Sequence, residues 1–223
     1  MSLLTKSATK PQSESAASPA IDHVVIGVSD LNTGVKQLED LTGLQAEFGG
    51  KHPHLGTENA LLNLGPRQYL EVLAPASGAK LDSSVSFLSN LQKLTPVLWA
   101  ISTVNVEWMA QLLKARGYET TPPRPGSRLR PDGAKLEWKT LSIKVPPMDM
   151  APFFIAWNAK SVHPAKNSPT GCTLSGVELT DPHAADLQKL VDLLKLSITV
   201  RSGTHASMKV MLNCPKGKIV IGE

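Results

Sequence analysis

The chain has 223 residues, 41% of them hydrophobic and 19% charged, enough to bury a core as one large domain or two small ones and too apolar for wholesale disorder. The net charge is +4, and the segment from Thr120 to Val145 (Arg124, Arg128, Arg130, Lys135, Lys139 and Lys144 against Asp132 and Glu137) accounts for that excess. A local basic patch suits a small anion better than a nucleic-acid backbone, so the expected partner is an anionic small molecule, not nucleic acid. Apolar runs such as Val24–Val28 are too short to span a bilayer, and no secretory leader is legible, so no membrane partner is expected. Cys172 and Cys214 lie outside any C-x-x-C pair and read as buried thiols in a reducing cytoplasm.

Residues 1–19 lack periodicity and read as a disordered tail. Ile21–Val28 is a β-branched strand; Ser29 or Asp30 can cap the helix after it. Leu31, Val35, Leu38 and Leu41 then recur at helical spacing up to Gly43. A Gly-rich loop follows, then strands at Ala60–Leu64 and Tyr69–Leu73 around Gly65-Pro66. The order repeats with a strand at Val97–Val104, a cap at Asn105, a helical stripe (Val106, Met109, Leu112, Leu113) to Gly117, and strands at Lys135–Ile143 and Phe153–Trp157. A third copy begins at Leu174–Leu179. Asp181-Pro182 reads as its helix cap, with proline at the first helical position and Leu187, Leu190, Val191 and Leu194 as its stripe. Strands at Ile198–Val200, Met208–Leu212 and Lys218–Ile221 close it. The fold class is therefore α+β, built from strand–helix–strands units of about fifty residues.

Alternation along a strand puts His23 on one face with Val25 and Gly27, and Glu71 on one face with Tyr69 and Leu73. Strands curling around one cleft would bring this imidazole and carboxylate together, a ligand pair that borderline divalent metals accept; a hydrogen-bonded pair, or two unrelated residues, is the plainer reading. The stretch Gly49–Asn59 carries His52, His54, Thr57 and Asn59, and either histidine could be a third metal ligand or a proton carrier, or simply face water. Arg128 and Arg130 point the same way if extended, and an arginine fork binds carboxylate or phosphate. Trp99, Trp138 and Trp157 fall on predicted strands, as core or as a pocket wall. P-loop, Rossmann, H-E-x-x-H and G-x-S-x-G signatures are absent.

Ile21-Asp22-His23-Val24-Val25 followed by Ser29-Asp30-Leu31 resembles the opening of a vicinal oxygen chelate module (the glyoxalase/bleomycin-resistance/dioxygenase superfamily). Further motifs are similar to the glyoxalase-like domain group: Gly49-Gly50-x-His52-Pro53-x-x-Gly56-Thr57-x-Asn59, Tyr69-Leu70-Glu71, Ser127-Arg128-x-x-Pro131-Asp132-Gly133-x-x-Leu136-x-Trp138, and Pro152-Phe153-Phe154-Ile155-x-Trp157. The resemblance implies βαβββ modules at 20–76 and 96–159 with sheets curled around a cleft, and an additional half-module at 170–223. It implies metal ligands on the first and last strands of a module, here His23 and Glu71, with His52, His54 or Glu178 to complete the set. In the second module the corresponding strands offer Trp99, Ile101, Ile155 and Trp157, and in the third Gly176 and Val220 take the aligned places. Two functions follow. The first is a metal-dependent lyase, isomerase or dioxygenase (Fe, Mn, Zn or Ni) acting on a small oxygen-rich anion. There His23, Glu71 and His52 hold the ion, His52 and Glu71 serve the chemistry, and Asn59, Arg128, Arg130, Trp138 and Trp157 bind substrate. The second is a metal-free binding or sequestering protein of the bleomycin-resistance type. A structural protein with a defunct cleft is a third, and the edge of the last half-module could pair two copies as a homodimer.

Overall fold

The computed structural model describes residues 19–145 and 148–222; the expected tail, but for Pro19, lies outside them. The first unit is β1 (Ala20–Gly27), α1 (Leu31–Thr42), β2 (Glu47–His52), β3 (Thr57–Gly65) and β4 (Gln68–Pro75), followed by a 3-10 segment at Ser83–Asn90. The second is β5 (Thr95–Ser102), α2 (Val106–Lys114), β6 (Glu119–Thr120), β7 (Arg124–Leu129), β8 (Lys135–Val145) and β9 (Phe153–Trp157). After a 3-10 turn at Pro164–Asn167 come β10 (Thr173–Asp181), α3 (Ala184–Leu193), β11 (Thr199–Ser202), β12 (Ser207–Cys214) and β13 (Gly217–Ile221).

The helix signals act as read. Asp30 caps α1 by accepting from the Thr33 N–H, Asn105 caps α2 by accepting from Trp108, and Gly43 ends α1 in the left-handed conformation at φ 79°. The cap of α3 differs. Asp181 is the last residue of β10 and accepts from the His183 N–H at 2.7 Å, His183 holds the cap position, and Pro182 lies outside the helix. The supposed loop after α1 is mostly strand, because the polar residues of 47–59 alternate across β2 and β3 and only Pro53–Gly56 turns.

The first two units form one nine-stranded sheet in the order β2-β3-β4-β1-β5-β9-β8-β6, with β7 also on β8. In each unit the last strand pairs parallel with the first (β4 with β1, β9 with β5), and β1 pairs antiparallel with β5 to join them. One face of this sheet, with Val24, Ile26, Leu62, Leu70, Val72, Trp99, Ile101 and Phe154, packs into the core with the helices. The other carries His23, Val25, Asn59, Tyr69, Glu71, Leu73, Phe153 and Ile155 and curls around a cleft.

The third unit keeps the chain order strand–helix–three strands but changes the pairing. Its sheet runs β11-β10-β12-β13, so β11 rather than the last strand lies parallel to the first. It shares the core through Val177, Leu179, Leu187 and Met208, and Asp181 accepts from the Met150 N–H at 2.9 Å. The cysteines are bonded rather than free: β10 and β12 pair Thr173 with Asn213, which places Cys172 and Cys214 opposite one another, Cα–Cα 4.2 Å, as a disulfide. A reading of buried thiols sees a gap of 42 residues in sequence where the sheet has a single rung. The reduced state from which a cytoplasmic location was inferred is therefore not the state of these sulfurs. Among the described residues no helix is long and apolar enough to cross a membrane.

Helix α1 approaches the sheet at Gly34, where a Cβ would stand 2.6 Å from Val28 Cγ1 and 3.0 Å from Val72 Cγ1. Alanine favours a helix by about 1 kcal/mol over glycine, but forcing two buried valines apart costs roughly 1–3 kcal/mol. Overpacking wins, and Gly34→Ala is expected to lower stability by about 1 kcal/mol in urea unfolding, with the slope unchanged.

Candidate functional site

The cleft encloses about 490 Å³. At its floor, β1 and β4 run parallel with His23 beside Tyr69, and the two rings stack at 4.5 Å and 17°. Glu71, two residues along β4, comes within 3.6 Å of His23 Nε2 through Oε2, while its Oε1 accepts from Asn59 Nδ2 at 2.6 Å. The His23–Glu71 pair inferred from alternation is thus real, and Asn59 joins it. Asn59 Oδ1 is buried with no partner.

Asp22 is part of the site although alternation would turn it away from His23. The ladder between β1 and β5 shifts at this point: Ile21 pairs with Ile101 and His23 with Ala100, so Asp22 is the extra residue of a bulge. Its side chain, with no exposed surface, lies 2.8 Å from His23 Nδ1 through Oδ1. Trp157 Nε1 donates to both of its oxygens at 3.1 and 3.3 Å, and His163 Nε2 lies 3.2 Å from Oδ2. Burial raises the Asp22 carboxyl, but the hydrogen bonds from His163 and His23, with their charges, outweigh it and hold the group at about 2. His163 stands on a segment without strand or helix period; an imidazole so far along the chain gave no signal in sequence.

His52 ends β2, with Nδ1 3.1 Å from Thr57 Oγ1 and its ring edge-on to Trp138 at 6.1 Å. Burial pushes its pKa below the usual imidazole value, helped by Arg128 and His23 and opposed by Glu71. Burial also keeps Tyr69 a protonated phenol, reinforced by the Glu71 and Asp22 charges. Arg128 is buried and donates to the Gly49 carbonyl, its charge facing Glu71. This close seating depends on Gly50, at φ 141°, where a Cβ would lie 2.4 Å from the Leu129 carbonyl oxygen. Arg130 does not line the cleft: it pairs with Asp132 at 3.0 Å and borders a small hollow that Arg128 also lines. Lys135 and Lys139 are paired with Glu137 and Glu107. Of the six cations in this segment only Arg124 and Arg128 line the cleft.

The second unit contributes Leu98, Phe153, Ile155, Trp138 and Trp157 to the cleft. On β5 the residue facing it is Leu98. Trp99 points to the opposite face, buried in the core, with its Nε1 donating to the Met150 carbonyl. His54 and Leu55 sit at the rim. Glu178 lies on the other sheet, ion-paired with Arg201 at 2.7 Å and Lys209 at 3.7 Å, and does not approach the cleft.

A protein-held divalent ion calls for three or more donors at one point. His23 and Glu71 offer two, and the side chains that the second unit adds to the cleft include no carboxylate, imidazole or thiol. Among the described residues no group of three His, Cys, Asp or Glu side chains could hold a metal, so His52 does not complete the set with them. The donor set does not fit a chelated ion.

Sheets curled around a cleft from repeated βαβββ units are the architecture of the vicinal oxygen chelate superfamily. Within it, a family model described as a glyoxalase-like domain matches residues 21–194, and the chain belongs to that family. No curated protein matches in sequence. Among solved structures, the chain is similar to a hypothetical protein from Staphylococcus aureus (17% identity, 92% of this chain and 85% of that one, TM-score 0.64). It is more distantly similar to methylmalonyl-CoA epimerase from Mycobacterium tuberculosis (19% identity, 63% and 89%, TM-score 0.45) and from Streptomyces coelicolor (17%, 66% and 99%, TM-score 0.45). These likenesses concern the fold alone.

The low Asp22 value has a consequence for stability. An unfolded aspartate ionises near 3.9, so the folded carboxylate contributes about 2 kcal/mol that is fully present above about pH 4 and is lost as pH falls through about 2. Asp22→Asn is expected to cost about 2 kcal/mol near neutrality. It should also flatten the fall in stability between about pH 4 and 2, measured by chemical unfolding at a series of pH values.

Proposed function

We propose that the chain is an enzyme that moves a proton on a small anionic substrate held in this cleft, with His23 and Glu71 as the proton-transferring groups. The observation that carries the reading is the facing pair itself: an imidazole nitrogen and a carboxylate oxygen 3.6 Å apart, beside a buried arginine, on the floor of a cavity of substrate size. Such a pair can take a proton from a carbon next to a carbonyl. The Arg128 cation then lies near the enolate oxygen that develops, where fixed charge in a dry site counts most. Return of the proton completes an isomerisation, and loss of a group from the next carbon completes a lyase reaction. Arg124 at the rim attracts the substrate's anionic end, while Trp138 and Trp157 cover its apolar body. Asn59 orients Glu71 by donating to its Oε1. The metal-dependent form of this reading, and dioxygenase chemistry with it, lacks a third donor, so no step is assigned to an ion.

A second reading, a metal-free binding protein, is favoured by one observation: the half of the cleft supplied by the second unit adds no carboxylate, imidazole or thiol to those of the first. Proton exchange separates the two. In D2O, a panel of 2-oxo and malonate-type carboxylic acids is incubated with the protein and followed by NMR. At least one acid is expected to acquire deuterium at the carbon next to its carbonyl, and Glu71→Gln and His23→Gln should each slow this by about 100-fold or more. Binding without exchange would establish the sequestering reading instead. Dialysis against Mn(II), Fe(II), Ni(II) and Zn(II) is expected to leave no ion held at one per chain. One ion retained by the wild type and lost in Glu71→Gln would restore the metal reading.

A further inference from the structure

The chemistry of an imidazole depends on which nitrogen keeps its hydrogen, and around His23 that choice is settled by groups that the proton-transfer reading does not use. Four contacts fix it. Trp157 Nε1 can only donate, and it donates to Asp22. The Ala165 N–H can only donate, and it donates to His163 Nδ1 at 3.3 Å. A neutral His163 therefore carries its hydrogen on Nε2, the atom that faces Asp22 Oδ2 at 3.2 Å. Asp22 is left as an acceptor on every side, and His23 Nδ1, at 2.8 Å, must supply the remaining hydrogen.

We infer that Asp22, clamped by His163 and Trp157, is a positioning residue that holds His23 in the tautomer bearing hydrogen on Nδ1, so that the Nε2 lone pair faces Glu71 and the cleft. This rests on the proposed proton transfer for its purpose but not for its test. The clamp draws on three distant parts of the chain: the bulge in β1, the end of β9, and the turn before Pro164–Asn167. It forms only when the first two units and the connection to the third are all in place. Holding the ring by Nδ1 also fixes its plane, which the stacked Tyr69 ring and the edge-on Phe153 ring, at 5.4 Å, confine from the sides. Glu71, 3.6 Å from Nε2, is the other acceptor that faces the ring, and at that distance its pull on the hydrogen is weaker than that of Asp22 at 2.8 Å from Nδ1. Replacing the carboxylate by an amide of the same shape keeps the packing and removes the preference, because an amide can donate as well as accept.

The test reads the nitrogens directly and needs no substrate. In 15N-labelled protein at about pH 8.5, roughly two units above the free imidazole value, long-range proton–nitrogen correlation spectra distinguish the two tautomers. His23→Gln identifies the His23 signals by their loss. The wild type is expected to show hydrogen on Nδ1 and a bare Nε2, and Asp22→Asn to shift the population to the other tautomer. Trp157→Phe, which keeps a ring but drops one donor, should leave the Nδ1 hydrogen in place with a changed shift. A wild-type ring with hydrogen on Nε2 alone, or an imidazolium at that pH, overturns the inference, as does an unchanged tautomer in Asp22→Asn. If that variant does not fold, the wild-type spectrum still decides. In the exchange assay, Asp22→Asn should lower the rate by on the order of 100- to 1,000-fold with little change in the concentration dependence. Should the predicted tautomer be found where no acid exchanges, the proton-transfer reading fails while the clamp stands.

Discussion

A carboxylate removed entirely from water keeps its charge only if other donors replace the water it has lost. Asp22 meets that condition through two imidazoles and an indole, brought from β1, the end of β9 and the segment beyond it. The cost of leaving any of these groups unpaired, roughly 1–3 kcal/mol for a buried donor or acceptor, binds the floor of the cleft to the strand that closes the second unit. The orientation of His23, the distance to Glu71 and the placing of Trp157 along the wall all follow from that one anchor. The bulge that frees Asp22 from alternation is what allows it, since two neighbouring strand residues otherwise face opposite sides.

The two units divide the cleft between them. The first brings His23, His52, Asn59 and Glu71, and the second brings Leu98, Phe153, Ile155 and the two indoles together with the two arginines and the hydroxyls of Thr121, Ser127, Thr140 and Ser142. A duplicated fold offers equivalent positions twice, but here the pairing of imidazole with carboxylate on the cleft face appears once. The apolar side chains of the second unit cover part of this set from water, which strengthens the electrostatic contacts there. The second unit's cations in the cleft, Arg124 and Arg128, both come from β7, and the charge of Arg128 is favoured by that of Glu71 from the first unit.

The fold was largely legible in sequence. Caps at Asp30 and Asn105, the stop at Gly43 and the strand periods of Ile21–Val28, Tyr69–Leu73 and Phe153–Trp157 are local signals, and local signals survive folding. The His23–Glu71 pair could be read in outline because β1 and β4 run in register from His23 and Tyr69 onward, even though a bulge immediately precedes His23. What escaped notice arises from irregularity or distance. The bulge at Asp22 has no compositional mark, His163 stands on a turn, and the pairing of β11 with β10 depends on which strands meet after collapse rather than on their order. Arg128 and Arg130 were expected to act together. Both border one small hollow, but only Arg128 also lines the cleft, and Asp132 holds Arg130 outside it. The cysteines illustrate the same limit, because their adjacency is a property of the β10–β12 register alone.

The seam between the first two units also governs how anything gets in. Because β1 and β5 are joined by a continuous ladder, the halves of the cleft belong to one sheet and cannot swing apart as hinged domains do without breaking several main-chain hydrogen bonds. Ligand traffic then falls to the side chains of the rim, such as His54, Leu55 and Arg124, whose rotations take picoseconds to nanoseconds rather than the microseconds to milliseconds of domain closure. A site built this way trades the selectivity of an induced closure for speed of access, and its discrimination among ligands must reside in a cavity shaped before they arrive.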